Sequence, residues 1–142
     1  MTEDTAATTA VPGELTADDV TIRMPAESAY LSVLRTATAG LAARLDFTLD
    51  EIEDLRIAID EACAMLLAQA IPGTDLECGF ELGADEVTIT VSVTAARPSV
   101  PDRRGFAWTV LSALAGSVDS RLGPGDRVSI VLQKRRGASG SG

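Results

Sequence analysis

The sequence of 142 residues contains no histidine, which removes imidazole base catalysis and histidine-ligated zinc from consideration. Its two cysteines, Cys63 and Cys78, are too few for a disulfide framework. Each falls among apolar neighbours, one on a predicted helix and one on a predicted strand, and reads as a small buried hydrophobe. No apolar run approaches the roughly 20 residues of a membrane span. Met1 is followed by acidic and small residues, not by the basic start and apolar core of a signal peptide. The expectation is a cytoplasmic protein without membrane contact. Aromatic residues make up only 4%, so the core must come from Ala, Leu, Val and Ile. Basic residues are scarce as well: 12 Lys and Arg stand against 21 Asp and Glu, for a net charge of -9. Phosphate backbones need a basic surface, so direct nucleic-acid binding is not expected. A partner with a basic patch fits this balance, and so does plain solubility.

What the sequence does have is enough apolar material, 46%, for one domain with one core. Residues 1–19 are small, polar and acidic and read as a flexible arm, 20–133 as the folded domain, and 134–142 as a flexible, basic then Gly/Ser-rich tail. Val20–Met24 alternates and is rich in strand formers. Pro25 ends it, and Ser28 is placed to cap the helix that follows, about Glu27–Leu45, with Tyr30, Leu31, Leu34, Thr38 and Leu41 on its apolar stripe. Thr48 and Glu51 form a capping-box pair at the start of a second helix, about Asp50–Ala70, which Pro72-Gly73 ends. Two strands, Asp75–Leu82 and Glu86–Thr94, are joined by a hairpin link at Gly83-Ala84-Asp85. An irregular stretch, Ala95–Arg104, leads to a third helix from Gly105 or Phe106 to about Ala115. A last hairpin, Val118–Leu122 and Arg127–Gln133, turns at Gly123-Pro124-Gly125. The order β-α-α-β-β-α-β-β predicts one sheet with three helices, two layers around a single core.

The second helix carries the sharpest motif. Residues 54–67, DLRIAIDEACAMLL, resemble the first motif of the GHKL ATPases, and more closely that of the anti-sigma-factor serine kinases of the RsbW and SpoIIAB type. In that family the helix reads roughly E-A-x-x-N, where Glu activates the attacking oxygen and Asn holds magnesium. Glu61 and Ala62 match the first part, making Glu61 the candidate catalytic residue. The Asn position is Met65, whose thioether is no ligand for a hard cation. The family's Asp-x-Gly-x-Gly turn, which reads adenine, would follow the strand ending at Val93-Thr94, where this chain has Ala95-Ala96-Arg97-Pro98. Asp102, Arg104 and Gly105 come later, in DRRG, and are the candidate nucleotide-binding residues. Gly105 opens the third helix as the family's glycine-rich helix start does.

The resemblance implies a histidine-kinase-like ATPase (Bergerat) fold: a two-layer α/β sandwich with a mostly antiparallel mixed sheet and three helices on one face. It implies an anti-sigma factor of transcriptional stress-response regulation, which sequesters an alternative RNA polymerase sigma factor and is controlled by a STAS-domain anti-anti-sigma antagonist. Arg35, and second Arg44, match the family's partner-gripping arginine on the first helix, and a homodimer through that face is implied as well. ATP with magnesium is the family's cofactor. With the Asn and most glycines gone, no cofactor is expected to be required and no metal site is expected. The alternatives are a working serine kinase that uses Glu61, or a GHKL-like binding module whose partner is not a sigma factor.

Overall fold

The computed structural model describes residues 18–137. The arm read at 1–19 lies outside them except for Asp18 and Asp19, and so do residues 138–142 of the tail. The elements are β1 (Asp18–Pro25), a 3-10 turn (Ser28–Tyr30), α1 (Leu31–Arg44), α2 (Leu49–Leu67), β2 (Asp75–Leu82), β3 (Glu86–Thr94), α3 (Phe106–Leu114), β4 (Ser117–Gly123) and β5 (Arg127–Arg135). The strands form one five-stranded sheet in the order β1-β2-β3-β5-β4. The resemblance implied a mostly antiparallel mixed sheet; all four pairings here are antiparallel.

Alternation decides which side of each strand is buried. In β2 and β3 the side chains of Leu76, Cys78, Phe80, Leu82, Val87, Ile89, Val91 and Val93 face inward, joined by Val128, Ile130 and Leu132 of β5. α2 lies over β3 and β5 and contributes Leu55, Ala58, Ile59, Ala62, Cys63 and Leu66 to the same core. Each large side chain buried this way is worth about 1.5–3 kcal/mol. α2 also packs against α1 and α3. The opposite side of the sheet is polar and carries no helix among the described residues.

The capping box forms as read: the Thr48 hydroxyl accepts the Glu51 N–H at 3.1 Å, and Glu51 Oε1 accepts the Thr48 N–H at 2.8 Å. The start of α1 differs from the reading. Residues Ser28–Tyr30 form a tight turn, Ser28 makes no cap bond, and Tyr30 is 43% exposed instead of joining the apolar stripe. β5 runs on through Lys134 and Arg135, past the Gln133 boundary, because β3 supplies pairing partners as far as Glu86. Lys134 Nζ donates to the Leu114 carbonyl at 2.9 Å and lies 3.9 Å from Asp54, which ties α3, β5 and α2 together. No helix among the described residues is long and apolar enough to cross a membrane.

Candidate functional site

α1 and α2 are antiparallel neighbours joined by a short turn around buried Phe47. Arg35 of α1 reaches across the pair, and its Nη1 donates to Asp60 Oδ1 of α2 at 2.9 Å. Both side chains are more than a third exposed, so the pair adds at most about 0.5 kcal/mol. Its consequence is positional: the fork of Arg35 is fixed on the α1–α2 surface. Val33 is 48% exposed and Ile57 40%, and both belong to these two helices. Arg44 is exposed in the last turn of α1, where a cation complements the helix dipole.

The outward side of α1 has an unusual chemistry for this chain. Its exposed positions are Ser32, Val33, Thr36, Gly40, Ala43 and Arg44, and the whole helix LSVLRTATAGLAAR contains no carboxylate, although the chain has 21. Gly40 sits in the helix interior, its φ is not positive, and an added Cβ would meet nothing within 4 Å. A glycine there costs about 0.8–1.0 kcal/mol relative to alanine. Nothing described in its own chain calls for it.

Glu61 is half-buried on α2, with half-buried Met65 one turn further on. Beyond them the chain is pinned. Ala70 pairs with Ala95 in an isolated bridge, and the Ile71 N–H donates to the Thr94 carbonyl at 2.9 Å. The Gln69 side-chain amide takes the backbone of Ser99 from both sides: Nε2 donates to its carbonyl at 2.9 Å and Oε1 accepts its N–H at 3.0 Å. This two-point grip holds the irregular segment against the end of α2. Asp102 folds onto its own turn, with Oδ1 accepting the Arg104 N–H at 2.9 Å. The Gly105 N–H donates to the Asp102 carbonyl at 3.0 Å, and a Cβ on Gly105 would stand 3.3 Å from that oxygen. The side chain of Arg104 is 94% exposed.

Arg103, which was not among the candidate residues read from the sequence, is the organised arginine of this segment. Its guanidinium lies 4.9 Å from the centroid of the buried Trp108 ring, and Nη2 donates to Asp119 Oδ1 at 2.7 Å. The hydrogen bond from Arg103 holds the Asp119 carboxyl below its usual value. Trp108 is a core residue, whereas Phe106 is 83% exposed.

The structure thus brings Arg35 and Asp60 together and leaves Arg44 at the far end of α1. Asp102, Arg104 and Gly105 share one turn. Of the five principal cavities among the described residues, none is lined by Glu61, Met65, Asp102, Arg104 or Gly105. The largest, about 530 Å³, lies at the start of α2 between Thr48, Asp50, Glu51, Asp54, Gly116, Lys134 and Arg135. Glu51 is 6% exposed there, and its Oε2 accepts the Gly137 N–H at 3.0 Å. Burial pushes its carboxyl up, but the N–H groups of Thr48 and Gly137, the Thr48 hydroxyl and the Lys134 charge together hold it below its usual value. Among the described residues no group of three or more Cys, Asp or Glu is placed to hold a metal ion.

No family model matches the chain. It is 32% identical over 126 residues to the anti-sigma-F factor RsbW of Mycobacterium tuberculosis, an alignment that covers 84% of this chain and 75% of that protein. It is 41% identical over 54 residues to the serine-protein kinase RsbW of Bacillus subtilis, covering 38% of this chain and 34% of that one. Among solved structures it resembles the RsbU and RsbW domains of Rv1364c from Mycobacterium tuberculosis, with a TM-score of 0.64, 17% identity, and coverage of 84% of this chain and 32% of that chain.

Proposed function

Since the chain belongs to the RsbW family of anti-sigma factors and serine-protein kinases, we propose that it sequesters an alternative RNA polymerase sigma factor by direct binding and is released by an anti-anti-sigma antagonist. The outward side of α1 is the binding surface. One observation carries this assignment: a carboxylate-free, glycine-containing helix face on an otherwise acidic protein, with Arg35 held beside it. A glycine without a role inside its own chain is explained by close approach of another molecule. A guanidinium fork beside it suits a partner carboxylate, and the neighbouring Val33 and Ile57 supply the apolar contact. Arg44 is the second anchor, at the C-terminal end of the same helix.

The proposal requires no nucleotide. Magnesium takes oxygen ligands in a strict geometry. Met65 offers a thioether where the family has an amide, and the Asp102 carboxylate is engaged by the Arg104 N–H. The 95–104 segment is held down by Gln69. These residues do not fit magnesium-ATP, and Glu61 is a half-buried acid without the metal partner that phosphoryl transfer relies on. The family's serine-protein kinases keep a kinase reading in view, with Glu61 as base and the antagonist as substrate.

Titration of the purified chain against the sigma factor, with and without magnesium-ATP, tests the assignment. Equal affinity in both conditions, lost on Arg35→Glu, supports it. Binding that needs ATP, together with phosphate transfer to an antagonist serine that Glu61→Gln abolishes, establishes the kinase instead.

A further inference from the structure

The end of the molecule formed by the irregular segment, the start of α3 and the edge strand β4 differs in charge from the rest of the chain. Residues 95–123 hold four arginines, Arg97, Arg103, Arg104 and Arg121, against two carboxylates, Asp102 and Asp119, in a chain whose net charge is -9. Both carboxylates are engaged within the cluster. Asp119 Oδ1 accepts from Arg103, and its Oδ2 lies 3.9 Å from Arg121 Nε. Asp102 Oδ1 accepts the Arg104 N–H and lies 3.8 Å from Arg104 Nε. The next carboxylate along the chain, Asp126, lies in the turn beyond β4. All four arginines are exposed. Charges farther away than about 8 Å are largely screened at physiological ionic strength, so a partner at this end meets a surplus of cations.

The same end carries apolar side chains that the fold leaves uncovered. α3, FAWTVLSAL, has no charged residue. Its inner side buries Trp108 and Leu111, and its exposed positions are Phe106, Thr109, Ser112 and Ala113. Phe106 is 83% exposed, and Val100 and Leu122 are exposed as well. Leu122 stands on the helix side of β4: it pairs with the buried Val128, and Val118 on the same side packs against the core. The bond from Arg103 to Asp119 ties the turn before α3 to this strand. None of the five principal cavities among the described residues is lined by Val100, Phe106, Leu122 or any of the four arginines. A protein partner anchors itself by side chains that fill pockets, and this end offers none. Its apolar tips project outward between guanidinium groups, a shape that fits a layer able to deform around them.

From this combination we propose that the α3–β4 end docks on the surface of an anionic phospholipid bilayer. Phe106, with Val100 and Leu122, enters the boundary between headgroups and acyl chains, and the four arginines pair with lipid phosphates around it. A guanidinium presents a planar fork that matches phosphate oxygens two at a time. Its stem lies along apolar surface while its head stays at the headgroup level. Contact of this kind lies on the membrane and does not cross it. The expectation of no membrane contact rested on the missing span and on the acidic balance of the whole chain, and neither describes this end. α2 packs between α1 and α3, so a docked chain still presents Arg35 and the outward side of α1 to its protein partner.

Flotation of the full chain with phosphatidylcholine vesicles, prepared with and without phosphatidylglycerol, tests the proposal. Binding is expected only to the vesicles that contain phosphatidylglycerol, with release as salt is raised. Arg104→Glu and Phe106→Ser change strongly exposed side chains, so both variants are expected to keep the circular dichroism and melting curve of the wild type. Each is expected to lower the partition coefficient roughly tenfold. Arg35→Glu, on α1, is expected to float like the wild type. Absence of flotation with phosphatidylglycerol vesicles, equal flotation with neutral ones, or flotation indifferent to both Arg104→Glu and Phe106→Ser overturns the proposal. A chain that ignores vesicles but binds soluble polyglutamate in a Phe106-dependent manner overturns it as well, and makes this end a docking site for an acidic protein.

Discussion

Gly40 allows the stability of the chain to be separated from its partner function. Gly40→Ala replaces the poorest non-proline helix former with the best, at an interior α1 position where the new methyl meets nothing within 4 Å. The isolated chain is expected to gain about 0.8–1.0 kcal/mol. For a domain of this size that is roughly 3–6 °C in melting temperature. Gly40→Lys recovers most of the same backbone gain while placing a long cation on the proposed docking face. Its melting temperature is expected at or above that of the wild type, and its affinity for the sigma factor is expected to fall at least tenfold, which is about 1.4 kcal/mol. Urea denaturation and a binding titration on the same preparations give both numbers. A Gly40→Lys chain that binds like the wild type refutes α1 as the surface. A Gly40→Ala chain that melts lower refutes the premise that the glycine has no role in its own fold.

Further expectations concern the fold around the site. Glu51 has a depressed carboxyl value in the folded chain, so the stability it contributes is present above its ordinary value of 4.5 and is lost as pH falls through the folded value. Wild type is therefore expected to exceed Glu51→Gln in melting temperature at pH 7, with the gap closing in melts taken at progressively lower pH below 4.5. The Thr38 hydroxyl is buried without a hydrogen-bond partner among the described residues, so Thr38→Val is expected to stabilise by about 1 kcal/mol in urea denaturation. Burial pushes the Cys63 thiol up to about 12, and Cys78 is raised further by burial and by Cys63. Both are expected to stay unreactive to a thiol reagent at pH 8 until the chain unfolds, and stoichiometric labelling of the native protein would contradict that burial. Gln69→Ala removes both bonds to Ser99, so limited trypsin cleavage after Arg103 and Arg104 is expected to accelerate severalfold, as local opening becomes easier.

Much of the architecture was legible because it rests on local signals. The Thr48–Glu51 box, the alternation in EVTITVSVT and the glycine turn at Gly123–Gly125 each involve residues within a few positions of one another. They located α2, β3 and the last hairpin to within a few residues. Tyr30 was misplaced because its helical spacing was real while the backbone there closes a 3-10 turn before α1 begins. The ties that shape the site left no such trace. Arg35 meets Asp60 across 25 residues, Gln69 meets Ser99 across 30 and Glu51 meets Gly137 across 86. Periodicity carries no information about those distances. Gly40 was visible as a letter, but only its backbone, a helix interior whose φ is not positive, distinguishes it from glycines that serve a turn, such as Gly73 and Gly125. Arg35 was reached through the family resemblance, and its bond to Asp60 was not legible in the sequence.

The central claim is nucleotide-independent sequestration of a sigma factor through α1. Affinity capture of the tagged chain from the cells that encode it, with and without added magnesium-ATP and read by mass spectrometry, addresses it most directly. The account predicts a sigma factor in near-stoichiometric amount under both conditions, and its loss when the bait carries Arg35→Glu. Recovery only with magnesium-ATP would contradict the nucleotide-independent part and return Glu61 to a catalytic role. Recovery of no sigma factor in either condition would contradict the account as a whole.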